Sequence, residues 1–259
     1  MATLNFDFFY EWVLSNLNIN LNAYKEKQLQ RRIGTIMKQS GATTLEEYAK
    51  NISKDEILKK QFLDYITINV TEFFRNKDLF DNFELMINTH LSPKFKELKI
   101  WSAACSIGAE PYSLAMIAQK NNIKLKQKII ATDIDRTILD RAAKGYYRDN
   151  ELKNVSLIDK NTYFDLKDGY YCIQNAIKQK VQFKQHDLVQ DKYEKGFHAI
   201  ICRNVTIYFK SDVKDDIYMR MADSLVTGGL LFTGATETIY QPEKYQLRKL
   251  ASFIYEKIE

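Results

Sequence analysis

The chain has 259 residues, with 38 Lys+Arg against 33 Asp+Glu and a formal charge of +5. That length allows one large or two small domains. A hydrophobic fraction of 45% excludes global disorder, and nine Gly with three Pro exclude collagen-like or low-complexity chains. Cys105, Cys172 and Cys202 are too scattered for a disulfide framework or a zinc motif. The His residues are His90, His186 and His198, so metal and His-based chemistry start weak, and no metal is expected. The net charge is a weak basic bias, compatible with nucleic acid, an acidic protein partner or an ordinary solvated surface.

The first residues, Met1 to Tyr24, lack the basic start and apolar core of a signal peptide. No run of ~18 apolar residues suggests a membrane span, so a reducing cytoplasm is expected. Phe6 to Leu17 reads as the first helical segment. Ala23 to Gln39 reads as an amphipathic helix, with Leu29, Ile33, Ile36 and Met37 on one stripe. Lys27, Arg31 and Lys38 recur on another, and Ser40-Gly41 stops the helix. Thr44 with Glu47, and Ser53 with Glu56, resemble capping boxes that open a third and a fourth helix.

From about Lys99 strands and helices alternate. Strands are expected at Lys99–Ala103, Lys128–Thr132 and Phe197–Cys202, and after a Gly228-Gly229 turn at Leu230–Ala235. Helices are expected at Pro111–Lys120, Thr137–Lys144 and Ser211–Val226. This order argues for an α/β domain with a mainly parallel sheet. Tyr163 to Gln185, rich in strand formers around Asp168-Gly169, reads as a small antiparallel insert.

The loop from Ala104 to Glu110 follows the first strand, where doubly wound sheets bind ligands. It carries one glycine, not the three that bring backbone against a pyrophosphate. Asp133 ends the second strand, 25 residues after Gly108, close to the ~20-residue offset of a ribose-binding acid. Glu110 could instead balance a helix N-terminus, and Asp133 or Asp135 could cap the next helix. Their joint placement favours an adenosine-containing ligand without phosphates, such as S-adenosylmethionine.

Five segments then carry a family resemblance. Asn69 to Arg75 resembles the N-x-T-x-F-F-R segment of CheR-type chemoreceptor methyltransferases. Cys105 to Ser113 resembles their C-S-x-G-E-E-P-Y-S loop, with Ala109 in place of the first acid. Ala131 to Asp135 resembles A-T-D-I-D, and Cys202 to Phe209 resembles C-R-N-V-x-I-Y-F. Gly228 to Phe232 resembles the G-G-x-L-F turn, with Thr227 in place of the preceding Pro.

The resemblance implies a Rossmann-like S-adenosylmethionine-dependent methyltransferase domain with a small antiparallel β insert, preceded by a small all-α domain. The expected boundaries are 1–67 and 68–259, with the insert at about 160–185. The implied activity is methylation of glutamate side chains on chemoreceptor cytoplasmic domains, with S-adenosylhomocysteine as product. Asn69, Thr71, Arg75, Ala104, Glu110, Asp133, Asp187, Leu188, Asn204 and Val205 are the implied cofactor residues. Asp187 stands where the family usually has Asn. Arg75 would position the substrate carboxylate, and Tyr208 would donate a hydrogen bond to it. Arg203, Cys105 and Cys202 read as packing residues. Lys27, Arg31 and Lys38 become candidates for docking an acidic receptor segment, and the insert a candidate for a receptor-tail peptide. A cytoplasmic monomer is expected, without nucleic-acid binding or membrane insertion. A catalytically weak S-adenosylmethionine-binding signalling module stands as the alternative.

Overall fold

The computed structural model describes residues 4–259. Met1 to Thr3, part of the expected all-α domain and of the stretch read as no signal peptide, lie outside the described residues. Two compact units form. One runs to Asn69 and includes Tyr208–Lys214; the other comprises Val70–Ile207 and Asp215–Glu259.

The first unit is helical. Helix α1 (Phe6–Leu17) is capped by Asn5, whose side chain accepts from the Phe8 N–H. Helix α2 (Glu26–Gln39) buries Leu29, Ile33, Ile36 and Met37, the stripe read from the periodicity, and leaves Lys27, Arg31 and Lys38 exposed. Helix α3 (Leu45–Lys54) is capped by Thr44, but Glu47 returns its carboxylate to the Thr43 N–H at 2.8 Å, one residue before the cap. Helix α4 (Glu56–Thr67) is capped by Asp55, which accepts from Ile57 and Leu58, and not by Ser53. Ser53 lies inside α3 and donates to the Ala49 carbonyl, whereas Asp55 has the extended backbone that a cap requires. Phe9 packs edge-on against Phe62 and stacks on Tyr48 in the core of this unit. Residues 208–214 join it through an antiparallel bridge between Tyr24 and Phe209 and a 2.8 Å bond from Lys25 N–H to the Tyr208 carbonyl.

The second unit opens with α5 (Lys77–Met86), which passes through a π-turn into α6 (Ser92–Lys94). Its strands are β1 (Ile100–Ala103), β2 (Ile129–Asp133), β6 (Val181–Gln185), β7 (Phe197–Cys202), β8 (Leu225–Thr233), β9 (Leu247–Ala251) and β10 (Ile254–Lys257). Among the described residues they form a seven-stranded sheet in the order β6-β2-β1-β7-β8-β10-β9. The pairs from β6 to β8 are parallel, and β10 runs antiparallel to β8 and β9. All residues of β1 and β2 are buried, as both-face coverage demands. Helices α7 (Ala109–Lys120) and α8 (Arg136–Lys144) follow the first two strands, and α11 (Ser211–Ser224) precedes β8. The strand order reverses at β1, which pairs with β2 on one side and β7 on the other.

Two expectations are corrected. Strand β8 begins at Leu225, so Val226 is not helical and Gly228-Gly229 lies within the strand. The pair forms an irregularity there: Gly228 has φ +81°, and a Cβ on Gly229 would meet the Val226 carbonyl at 2.9 Å. The insert is also displaced. It consists of β3 (Tyr146–Tyr147), β4 (Phe164–Lys167) and β5 (Tyr170–Ile173), ordered β3-β5-β4, with Asp168-Gly169 turning at positive φ. Val181–Gln185 does not belong to it but forms the parallel edge of the main sheet, paired with β2. Short helices α9 (Leu157–Tyr163) and α10 (Asn175–Lys178) flank β4 and β5.

Candidate functional site

The site is built at the carboxyl ends of the central strands of the second unit. The loop after β1 turns through left-handed backbone at Ala104 (φ 58°), Ser106 (φ 51°) and Gly108 (φ 83°). At Gly108 a side chain has no room, since a Cβ would lie 2.9 Å from that of Ala142 and 3.1 Å from the Phe183 ring. At Ala104 and Ser106 such backbone is sparsely populated and persists because neighbours hold it. Cys105 donates its N–H to the Thr132 carbonyl, and the Tyr147 hydroxyl donates to the Ile107 carbonyl.

Asp133 closes this loop onto β2. One carboxylate oxygen accepts from the Ser106 N–H at 2.8 Å and the other from the Asp135 N–H at 3.1 Å. Its 6% exposure pushes its carboxyl up to about 6, against the lowering effect of those backbone bonds. The capping role goes to Asp135, which accepts from Thr137 and Ile138 at the start of α8. The two acids therefore divide the tasks between which the sequence left them open.

Glu110 lies in the first turn of α7. Its carboxylate accepts from the Ser102 hydroxyl at 2.8 Å and lies 3.8 Å from the Arg203 guanidinium. Burial pushes the carboxyl up to about 7; Arg203 and Ser102 oppose this, and the charge of Glu237 adds to it. Arg203, itself buried, donates to the Arg75 carbonyl and the Asn76 side chain and lies over the Phe80 and Phe232 rings. Packing is its visible role, and it ties the end of β7 to the segment holding Arg75. Arg75 is half-buried and donates to the Val70 carbonyl at 3.1 Å; Thr71 is half-buried nearby in sequence.

Asp187 follows β6. Its oxygens accept from the Val189 N–H and the Gln190 amide, both at 2.7 Å, so its carboxylate shapes its own turn. Leu188 is buried and its carbonyl accepts from Tyr193 and Arg220. Asn204 (φ 60°) and Val205 follow β7, their N–H groups directed to the Glu237 carboxylate. Asn69 and Tyr208 belong to the helical unit, where the Asn69 amide donates to the Thr67 hydroxyl. Cys105 and Cys202 are buried, which pushes both thiols well above their ordinary range and leaves them unreactive.

Sequence reasoning missed Ser102, Ser106 and the place of Glu237. The signal for Glu237 was present: it follows the end of β8, as Asp133 closes β2. Ser106, 9% exposed and bonded through its N–H to Asp133, has a buried hydroxyl without a hydrogen-bond partner among the described residues. An orphaned donor beside a carboxylate suits a hydroxyl-rich ligand, and Glu110 suits an ammonium group. The residues present therefore fit an S-adenosylmethionine-type cofactor.

A mainly parallel sheet with buried acids near the ends of its central strands, and no phosphate-binding glycine run, fits the class of S-adenosylmethionine-dependent methyltransferases. Residues 69–254 match the CheR methyltransferase SAM-binding domain, and residues 4–67 match the CheR methyltransferase all-alpha domain. A chemotaxis protein methyltransferase of Listeria monocytogenes is 39% identical, covering 96% of both chains. Those of Borreliella burgdorferi and Escherichia coli are 32% and 29% identical over 88% and 90% of this chain, and 85% and 83% of their own. The chain belongs to the CheR methyltransferase family. That membership does not favour the alternative of a catalytically weak binding module. No helix among the described residues is long and apolar enough to cross a membrane.

Proposed function

We propose that this chain methylates glutamate side chains on the cytoplasmic domain of a methyl-accepting chemoreceptor, leaving glutamate methyl esters and S-adenosylhomocysteine. The observation that carries the cofactor side is the pair of buried acids, Asp133 at the carboxyl end of β2 and Glu110 in the first turn of α7, bonded to Ser102 of β1. When bound, the cofactor supplies an electrophilic methyl group on a sulfonium. Asp133 would accept from its ribose hydroxyls, and Glu110 would hold its ammonium. Asp187 and Leu188 would edge the adenine, with Leu188 as an apolar wall. Ala104, Asn204, Val205 and Thr71 would complete the lining.

The substrate carboxylate, with an ordinary pKa of ~4.3, arrives ionised. No side chain of this protein needs to remove a proton. Arg75 attracts and orients the carboxylate, and alignment supplies the acceleration. The exposed stripe of Lys27, Arg31 and Lys38 on α2 meets an acidic receptor segment. The β3-β5-β4 sheet offers a place for a receptor-tail peptide. The protein acts as a cytoplasmic monomer.

Incubation with methyl-labelled cofactor and receptor cytoplasmic fragments should give base-labile label on glutamates. Intact S-adenosylhomocysteine binding without label on any fragment overturns the reading. Arg75→Ala should reduce transfer by about 100-fold, the scale of a misplaced reactant, and cofactor affinity far less. Equal losses in the two would remove its positioning role.

A further inference from the structure

A single carboxylate organises the whole turn after β7. Glu237 is 4% exposed. Its Oε2 accepts from the N–H groups of Asn204 at 2.5 Å and Gly234 at 2.9 Å. Its Oε1 accepts from the N–H groups of Val205 at 3.0 Å, Thr206 at 2.7 Å and Ile207 at 3.3 Å, and from the Thr206 hydroxyl at 2.8 Å. Successive N–H groups of residues 204–207 thus converge on one anion, as in the backbone nests that bind phosphate, but the anion is a side chain of the chain itself. The left-handed Asn204 makes the concavity. A Cβ on Gly234 would lie 2.3 Å from Glu237 Oε2 and 2.8 Å from the Asn204 nitrogen, so the approach leaves no space there for a larger residue.

We infer that Glu237 is a positioning residue for the cofactor site, presetting the Asn204–Ile207 backbone so that Asn204 and Val205 face the ligand before it arrives. The inference rests on the reading that Asn204 and Val205 contact the cofactor. A carboxylate is needed because, among the described residues, every group hydrogen-bonded to its oxygens donates. Glutamine would offer one acceptor oxygen and turn an NH₂ toward N–H groups. The buried turn would then lose part of its hydrogen bonding and relax away from its preset shape.

The test measures S-adenosylhomocysteine binding calorimetrically in wild type, Glu237→Gln and Gly234→Ala. Gly234→Ala keeps the charge but displaces the carboxylate. Circular dichroism establishes the folded fraction of each. Both folded variants should bind at least about tenfold more weakly, with a raised KM for S-adenosylmethionine and an unchanged KM for the receptor fragment. A merely structural role would lower the unfolding temperature and leave the affinity of folded protein unaltered; affinities within twofold of wild type overturn the inference. Hydrogen exchange on wild type decides the matter if neither variant folds. The 204–207 amides should be protected in the free protein and gain little on binding. Fast exchange that slows only with ligand overturns the preset turn. Wild type that fails to bind at all counts against the cofactor reading itself, a distinguishable outcome.

Discussion

Burial sets the protonation of Glu110 and Asp133, and the sign of the effect is fixed by its direction. A carboxyl raised to about 7 in the folded state and near ~4.5 when unfolded stabilises the fold at acid pH. That contribution fades as pH rises from ~4.5 through 7. The free protein should therefore unfold at a higher temperature at pH 5 than at pH 8. Glu110→Gln should shrink that difference by about 1–3 kcal/mol in denaturation experiments at the two pH values. If Glu110 holds the cofactor ammonium as proposed, affinity runs the other way, because an ammonium needs the ionised form: S-adenosylhomocysteine binding should weaken as pH falls below about 7. The residue scale also shows what spacing can resolve. Asp133 and Asp135 are two apart and both precede α8, so sequence left both open as caps. Only the hydrogen bonds assign one to the loop and the other to the helix.

At the scale of elements, the periodic pattern of α2 matched its buried stripe, because a 3.6-residue repeat maps directly onto a packed face. The start of α4 did not follow the motif. Serine and aspartate both cap, and the choice depends on which residue leaves helical backbone, a property of where α3 ends. Asp55→Ala should cost about 1 kcal/mol, whereas Ser53→Ala should stay within ~0.5 kcal/mol; urea unfolding compares them. Gly108 is held by the approach of α8 and β6 rather than by phosphate binding. Gly108→Ala should destabilise by about 2 kcal/mol or more, since backbone strain and a clash act together. A urea midpoint equal to wild type would contradict that packing. The displaced insert has a similar origin: Tyr146-Tyr147 is too short to show a period of two, and β6 resembles the insert strands in composition while its partner is β2.

On the scale of the whole molecule, net charge says little, and the location of charge says more. Lys27, Arg31 and Lys38 are exposed on α2 while its other face is core. Replacing all three by Glu should slow methylation of an acidic receptor fragment by about tenfold or more at low salt, with S-adenosylhomocysteine affinity unchanged. The difference should narrow in ~1 M salt, where the screening length falls to ~3 Å; initial rates at two ionic strengths check it. Sequence by itself determined the helical start, the alternating α/β pattern, the acids after the first two strands and the family, because these rest on local periodicity and contiguous motifs. Tertiary structure decided which strand joins which sheet, which aspartate closes the loop, and that Glu237 gathers the turn after β7. Each of those depends on partners far apart in the chain, whose pairing is fixed by burial and hydrogen-bond geometry rather than by spacing.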